Sequence, residues 1–375
     1  LIIFEAGKTL EEAIADVDEA IDFIQFYTKE YFNIKLNSPS YTSKGVFGII
    51  APWNFPLAIP VGMSVSALVT GNTVLLKPAE QTPLIALEFL KLARESGIDQ
   101  SVFDIAFGAG DIGASIVDHD LVSGVVFTGS RSVGSQIYQK LKSQHTSTRY
   151  DFSPTNKTVI TEMGGKNAII ITNNCELDET VSGVIYSAFA HAGQKCSAAS
   201  RIIIDENIKE SFIARFITAV DDLKIGKSFE FDTTINPLVS FDDEIRVKQM
   251  SMNAVKEANE TGGRVLLDNS QIEYPGFCVG PVVIELSSNQ ALKQESFSQR
   301  EIFGPILHLI SFSSLDQALE IFNATDYALT GGIYGQSQND IDYIESSKSL
   351  LAKEFRKIPT TDLLISGIFI NAIKE

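Results

Sequence analysis

The chain has 375 residues, more than one ordinary hydrophobic core accommodates, so two domains are expected. Hydrophobic residues make up 44% and charged residues 21%, which fits a globular protein, and the net charge of −17 argues against a nucleic-acid partner because binding phosphates needs a basic surface. No apolar run reaches the ~18–20 residues that span a bilayer, so no transmembrane segment is expected, and no leader peptide is visible.

The first residue is Leu1 rather than Met, which suggests an internal piece of a longer polypeptide. Leu10, Ala13, Ile14, Val17, Ala20, Ile21 and Ile24 recur at spacings of three and four, predicting a helix with one apolar face. Thr9 followed by Glu12 has the form of a capping box at its start. Residues 31–44 are polar and contain Pro39, so they read as a loop or an oligomerisation hairpin. Strands are then expected at 45–51 and 72–77, with helices at 56–68 and 82–96, the second ended by Gly97. Segments 102–107, 112–117, 124–127 and 133–141 continue the alternation, which is the pattern of a doubly wound α/β sheet. Residues 142–157 read as an exposed connection. A second α/β block follows, with strands at 158–160, 168–171, 201–204 and 280–285 and helices at 177–192, 208–223 and 242–260; residues 226–237 lack periodicity and read as a surface loop.

Three cysteines are too few and too scattered for a disulfide framework or a zinc site, which fits a reducing compartment, most simply the cytoplasm. Cys278, in Phe277-Cys278-Val279, reads as core, and Cys175 lies in a polar turn. Cys196 differs, because Gly193-Gln194-Lys195-Cys196-Ser197 separates an apolar helix from a strand, and small neighbours let a substrate approach. A thiol nucleophile needs its thiolate favoured by a base or cation. Glu162 lies 34 positions earlier, where a strand gives way to Met163-Gly164-Gly165-Lys166; a lone glutamate is ordinarily surface charge, but this one could be poised in a cleft. Gly108-Ala109-Gly110-Asp111-Ile112-Gly113 is a literal dinucleotide fingerprint, weak when it stands alone.

Six motifs then occur in order. They are Ala51-Pro52-Trp53-Asn54-Phe55-Pro56, Lys77-Pro78-Ala79-Glu80, Phe127-Thr128-Gly129-Ser130, Glu162-Met163-Gly164-Gly165-Lys166, Gly193-Gln194-Lys195-Cys196 and Glu301-Ile302-Phe303-Gly304-Pro305. Together they resemble the aldehyde dehydrogenase superfamily over nearly the whole chain. The resemblance implies a Rossmann-like NAD-binding domain over 1–164, an α/β catalytic domain over 165–355 and a C-terminal remainder over 356–375, with the site between the domains.

It also implies a mechanism. Cys196 would attack the aldehyde, and the Asn54 amide with the backbone N–H of Cys196 would hold the oxyanion. A hydride would leave for the nicotinamide, and Glu162 would activate water to hydrolyse the resulting thioester. For the cofactor, the resemblance places the pyrophosphate at the turn holding Gly129 and Ser130, ahead of a helix N-terminus. Lys77 and Glu80 would meet the adenosine ribose, favouring NAD over NADP; the plainer reading is a loop charge pair. Glu301 and Phe303 would hold the nicotinamide ribose and ring. Trp53, the single tryptophan, is a cofactor contact or wall packing. Gly165 and Lys166 read as structural.

Within the superfamily, Gly193–Arg201 (GQKCSAASR) and the strings 51–60, 77–83 and 130–138 look like the L-glutamate γ-semialdehyde (Δ1-pyrroline-5-carboxylate) dehydrogenases, which occur alone or fused behind a proline dehydrogenase. By that resemblance Ser197 would anchor the substrate carboxylate, Glu19 would face its ammonium, and Phe55 would wall its aliphatic chain. Glu19 as an exposed helix charge is the alternative. A homo-oligomer is implied. The family continues past Phe369-Ile370-Asn371 with a substrate-anchoring loop that residues 372–375 do not resemble. Another aldehyde, such as succinate semialdehyde, and a catalytically silent scaffold are the competing readings; a coenzyme-A-acylating relative fits less well because Glu162 is present.

Overall fold

Thr9 and Glu12 close the reciprocal cap that their spacing predicts: the Thr9 amide donates to Glu12 Oε2 at 3.2 Å and the Glu12 amide to Thr9 Oγ1 at 3.3 Å. After a short first helix α1 (Ile2–Glu5), this cap opens α2 (Leu10–Asn37). The loop expected from residue 31 is therefore corrected, since residues 31–37 form the last turns of α2. Residues 38–41 of that expected segment, Pro39 among them, lie outside the described residues. The apolar face expected on α2 is only partly covered. Ala13 and Ala20 are buried, whereas Ile14, Val17, Ile21 and Ile24 are exposed. The computed structural model describes residues 1–37, 42–143, 157–293 and 296–355, so most of the expected 142–157 connection and all of 356–375 lie outside the described residues.

Two compact units are present, Leu1–Met163 and Gly164–Glu375. The first continues as β1 (Val46–Ile50), α3 (Ala58–Val69), β2 (Thr73–Lys77), α4 (Pro83–Glu95), β3 (Phe103–Ile105), α5 (Gly110–Asp118), β4 (Val122–Gly129), α6 (Arg131–Ser143) and β5 (Thr158–Met163). Its parallel sheet has the order β3-β2-β1-β4-β5. Alternate residues feed two cores: Phe47, Ile49, Val74, Leu76 and Val126 face one layer, and Ile50, Val125 and Phe127 face the other. Burial on both faces is what an all-parallel sheet requires.

The second unit contains β6 (Asn167–Ile171), α7 (Leu177–Phe189), β7 (Ala199–Asp205), α8 (Lys209–Asp221), α9 (Phe241–Thr261), β8 (Arg264–Asp268), β9 (Val282–Leu286), α10 (Ser288–Ala291), β10 (Ile306–Phe312), α11 (Leu315–Asn323), β11 (Gly331–Tyr334) and α12 (Gln338–Phe355). Its sheet runs β11-β6-β7-β10-β9-β8, parallel except for β8 at the edge. Ile169, Ile171, Ile202 and Ile204 pack on one face, and Ala168, Ile170 and Ile203 on the other.

Topology already narrows the site in the first unit. Strand order reverses between β1 and β4, and ligands of open α/β sheets bind outside the carboxyl ends of strands at such a reversal. Ile50 pairs with Phe127 there, so β1 and β4 release Ala51–Asn54 and Gly129–Ser130 at one edge.

Candidate active site

In the first unit, four strand ends deliver the candidate residues. Thr128 on β4 lies opposite Glu162 on β5, and Lys77 ends β2 beside Ile50 of β1. The structure therefore brings Lys77, the Asn54 segment, Ser130 and Glu162 to a single carboxyl edge. The literal glycine fingerprint instead follows β3, the edge strand farthest from β4, so topology favours the Thr128-Gly129-Ser130 turn for a dinucleotide. Ser130 is exposed and caps α6, its hydroxyl accepting from the Val133 amide at 3.4 Å; no acidic side chain lies in the first turn of that helix. Its remaining first-turn N–H groups suit an anion.

Lys77 is buried and its ammonium donates to Glu80 Oε2 at 3.0 Å, while Glu80 is half-exposed. Burial alone would raise the Glu80 carboxyl, but its own backbone N–H and Lys77 outweigh this and lower it. Asn54 is buried, and Trp53 and Phe55 beside it are half-buried. Glu162 is half-buried, and burial pushes its carboxyl up to about 7. Tyr27 on α2 shares this environment: burial, and then the nearby Glu162 charge, raise its phenol. Glu19, two turns earlier on the same helix, is exposed.

In the second unit, Cys196 and Ser197 lie on the segment between α7 and β7. Its backbone is left-handed at three consecutive residues, His191 (φ 53°), Ala192 (φ 53°) and Gly193 (φ 71°). Only glycine is tolerated at 193, because a Cβ there would meet the Gly304 carbonyl oxygen at 2.5 Å. Neutral amides hold the rest. Gln194 is buried; its Oε1 accepts from the Val239 amide at 3.0 Å, and its Nε2 donates to His191 O at 3.1 Å and Pro237 O at 3.3 Å. Asn167 Nδ2 donates to the carbonyls of Cys196 at 2.7 Å and Ala198 at 3.0 Å. Cys196 is half-buried and in no disulfide, and Ser197 is exposed. Cys278 contrasts with it: fully buried, its thiol is driven up to about 11 by burial and then by Glu244, as suits an inert core position.

Glu301 belongs to the same neighbourhood. Its Oε1 accepts from the Gly165 amide at 3.1 Å, and its carboxylate packs so closely on Gly164 that any Cβ there would collide with it. Phe303 has φ 56°, a strained conformation for a bulky residue, and Arg246 braces it by donating to Ile302 O at 2.6 Å and Phe303 O at 3.4 Å. Gly165, Ala198, Glu301 and Phe303 line one cleft in this unit. Lys166 is buried and its amine is lowered to about 7, by burial first and then by Arg201. Arg201 in turn holds the Lys166 carbonyl through Nε at 3.0 Å and Nη2 at 2.7 Å.

Several of these supports were absent from the sequence reading. Asn167, Gln194 and Arg246 act on main-chain groups far away in sequence, and only the position of Gln194 beside Cys196 signalled a role.

Residues 1–348 match the model of the family described as Aldehyde dehydrogenase family. A curated relative from Bacillus licheniformis, named 1-pyrroline-5-carboxylate dehydrogenase, is 34% identical over 359 residues, covering 91% of this chain and 66% of that protein. One of the same name from Bacillus subtilis is 34% identical over 357 residues, with the same coverage. The chain thus spans 66% of the length of these relatives. Among solved structures, 1-pyrroline-5-carboxylate dehydrogenase from Thermus with bound NAD superposes with a TM-score of 0.82 at 31% identity, covering 92% of this chain and 66% of that one. Proline utilization A from Bdellovibrio bacteriovorus gives 0.80 at 36% identity, over 92% of this chain and 36% of that one. The chain belongs to the aldehyde dehydrogenase family.

Proposed function

We propose that the protein catalyses NAD-dependent oxidation of L-glutamate γ-semialdehyde to L-glutamate, a step of proline catabolism, through a thioester on Cys196. The observation that carries this reading is Glu162, a half-buried carboxyl raised to about 7 in a chain whose relatives are named 1-pyrroline-5-carboxylate dehydrogenase. A general base works best when its pKa lies near the working pH.

Cys196, as thiolate, forms a bond to the aldehyde carbon. The oxyanion that results needs donors already in place, which are the Asn54 side-chain amide and the Cys196 backbone N–H. When bound, NAD supplies the hydride acceptor. The first unit's edge suits it: the open first turn of α6 at Gly129 and Ser130 would take the pyrophosphate, and the Lys77–Glu80 pair offers one donor and one acceptor for ribose hydroxyls. A carboxylate at Glu80 disfavours a 2′-phosphate. Glu301 and Phe303 would hold the nicotinamide ribose and ring, and Trp53 would be a further cofactor contact. Glu162 then takes a proton from water, and the resulting hydroxide displaces the Cys196 thiolate from the acyl group.

For the substrate, Ser197 anchors the carboxylate, Glu19 faces the ammonium and Phe55 walls the chain between them. Both Ser197 and Glu19 are exposed, as first contacts for an incoming polar molecule would be. The protein acts in a reducing compartment, the cytoplasm, as a homo-oligomer. Its likeness to proline utilization A supports a fused proline dehydrogenase domain in the parent polypeptide.

NADH formation from L-glutamate γ-semialdehyde, with succinate semialdehyde and propanal as controls, tests the reading on the full-length protein. A kcat/KM for the glutamate semialdehyde at least tenfold above both controls is expected; equal or higher values on a control would overturn the substrate assignment.

A further inference from the structure

The first unit buries an ion pair that the chemistry above does not use. Lys8 precedes α2 and Asp16 lies in its second turn; Lys8 Nζ donates to Asp16 Oδ2 at 2.8 Å, and the side chains are 1% and 0% exposed. Asp16 Oδ1 also accepts from the Ala58 amide at 2.7 Å, at the first residue of α3. The Lys8 ammonium sits 3.8 Å from the centroid of the Phe55 ring. One buried pair thus grips both ends of segment 55–58, immediately after Asn54.

Burying two charges is expensive, and apolar residues of similar volume are often as stable. What such a pair gives in return is direction. The carboxylate fixes where α3 begins, and the ammonium, within the ~6 Å range of a cation–π contact, fixes the plane of one aromatic ring. Phe55 is only half-buried.

We propose that Lys8 and Asp16 are positioning residues for Phe55: the buried pair holds the ring in the orientation in which it walls the substrate's aliphatic chain, and so sets affinity for the semialdehyde more than the rate of chemistry. This rests on the assignment of Phe55 to the substrate wall. Neither residue needs to touch substrate, and the expected signature is a change in KM with little change in kcat.

The test uses Lys8→Met, Lys8→Arg and Asp16→Asn in the full-length protein. Lys8→Met should raise KM for L-glutamate γ-semialdehyde by about tenfold, the size of a desolvated cation–π contact, with kcat within about twofold. Propanal, too short to lie along the wall, should keep its KM within about twofold. Lys8→Arg keeps a cation over the ring and should return KM to within about threefold of the parent. An unchanged KM in folded Lys8→Met, or parallel losses on both aldehydes, would overturn the proposal. Where Lys8→Met does not accumulate as folded protein, Asp16→Asn decides: it keeps an acceptor for the Ala58 amide while removing the charge that holds Lys8, and it should show the same selective rise in KM. A second readout needs no substrate. Trp53, the chain's single tryptophan, lies two residues before Phe55, and acrylamide quenching of its fluorescence should increase in Lys8→Met and recover in Lys8→Arg. Unchanged quenching in folded Lys8→Met would refute the positioning role. If the parent shows no preference for the glutamate semialdehyde, the substrate reading fails, and the quenching result still decides what Lys8 does.

Discussion

Two segments carry the residues assigned to aldehyde chemistry, and they are held by different means. Residues 52–58 in the first unit are tied down by charge, through Lys8 under Phe55 and Asp16 on the Ala58 amide. Residues 190–198 in the second unit are tied down by main-chain geometry and neutral amides, with three left-handed residues, the close approach of Gly193 to Gly304, and the side chains of Gln194 and Asn167. The difference suits the groups carried. A fixed carboxylate beside a thiol would disfavour the thiolate, whereas amides hold a nucleophile's loop without adding net charge. An asparagine amide and a phenyl ring do not ionise, so a buried salt bridge can hold them at no cost to reactivity.

The largest effect is expected at Glu162→Gln. If the pH response belongs to the first unit, the parent's rate of acyl transfer to water should rise with pH through about 7, as the base ionises. The variant should lose that limb and about 10²–10⁴ in turnover. A profile unchanged in Glu162→Gln would assign the ionisation elsewhere. The same group bears on stability. Its folded pKa is raised, so its contribution is fully present below the ordinary carboxyl value of 4.5 and is lost as pH rises through about 7. Thermal midpoints measured from pH 4.5 to 8 should therefore fall less steeply in the variant.

Gly193→Ala attacks the second segment through its backbone. A Cβ at φ 71° facing a carbonyl oxygen at 2.5 Å should cost about 2–4 kcal/mol, comparable with other strained backbone substitutions. A lower thermal midpoint and slower alkylation of Cys196 are expected; a midpoint equal to the parent's would show that amides alone hold the loop. The smallest effect is expected at Glu80→Gln. An ion pair with one half-exposed partner contributes about 1 kcal/mol or less, so stability should barely change. KM for NADP should fall about threefold relative to NAD once the like charge is gone. An unchanged ratio would remove Glu80 from the ribose site.

Much of the fold was legible because its signals are local. The capping box of Thr9 and Glu12, the strand–helix alternation from 45 to 141, and the isoleucine runs of β6 and β7 each follow from neighbouring residues. Residues 31–37 are helical despite their polarity because no helix breaker stands among them. The elements after β9 were harder to see. β10 is almost wholly buried yet contains His308, and β11 begins with two glycines, so neither shows a clean strand pattern. The candidate residues stand in recognisable motifs, whereas the side chains that hold their segments do not. Asp16 reaches Ala58 across 42 residues, and Arg246 reaches Ile302 across 56, distances over which periodicity carries no information.

The central claim is that Cys196 carries the acyl group and Glu162 releases it. The most direct measurement is the mass of peptides from full-length Glu162→Gln quenched after one turnover with NAD and the preferred aldehyde. An acyl adduct on the peptide containing Cys196, with none on those containing Cys175 or Cys278, is the predicted result. A peptide containing Cys196 that stays unmodified while NADH has formed, or an adduct confined to another cysteine, would contradict the account.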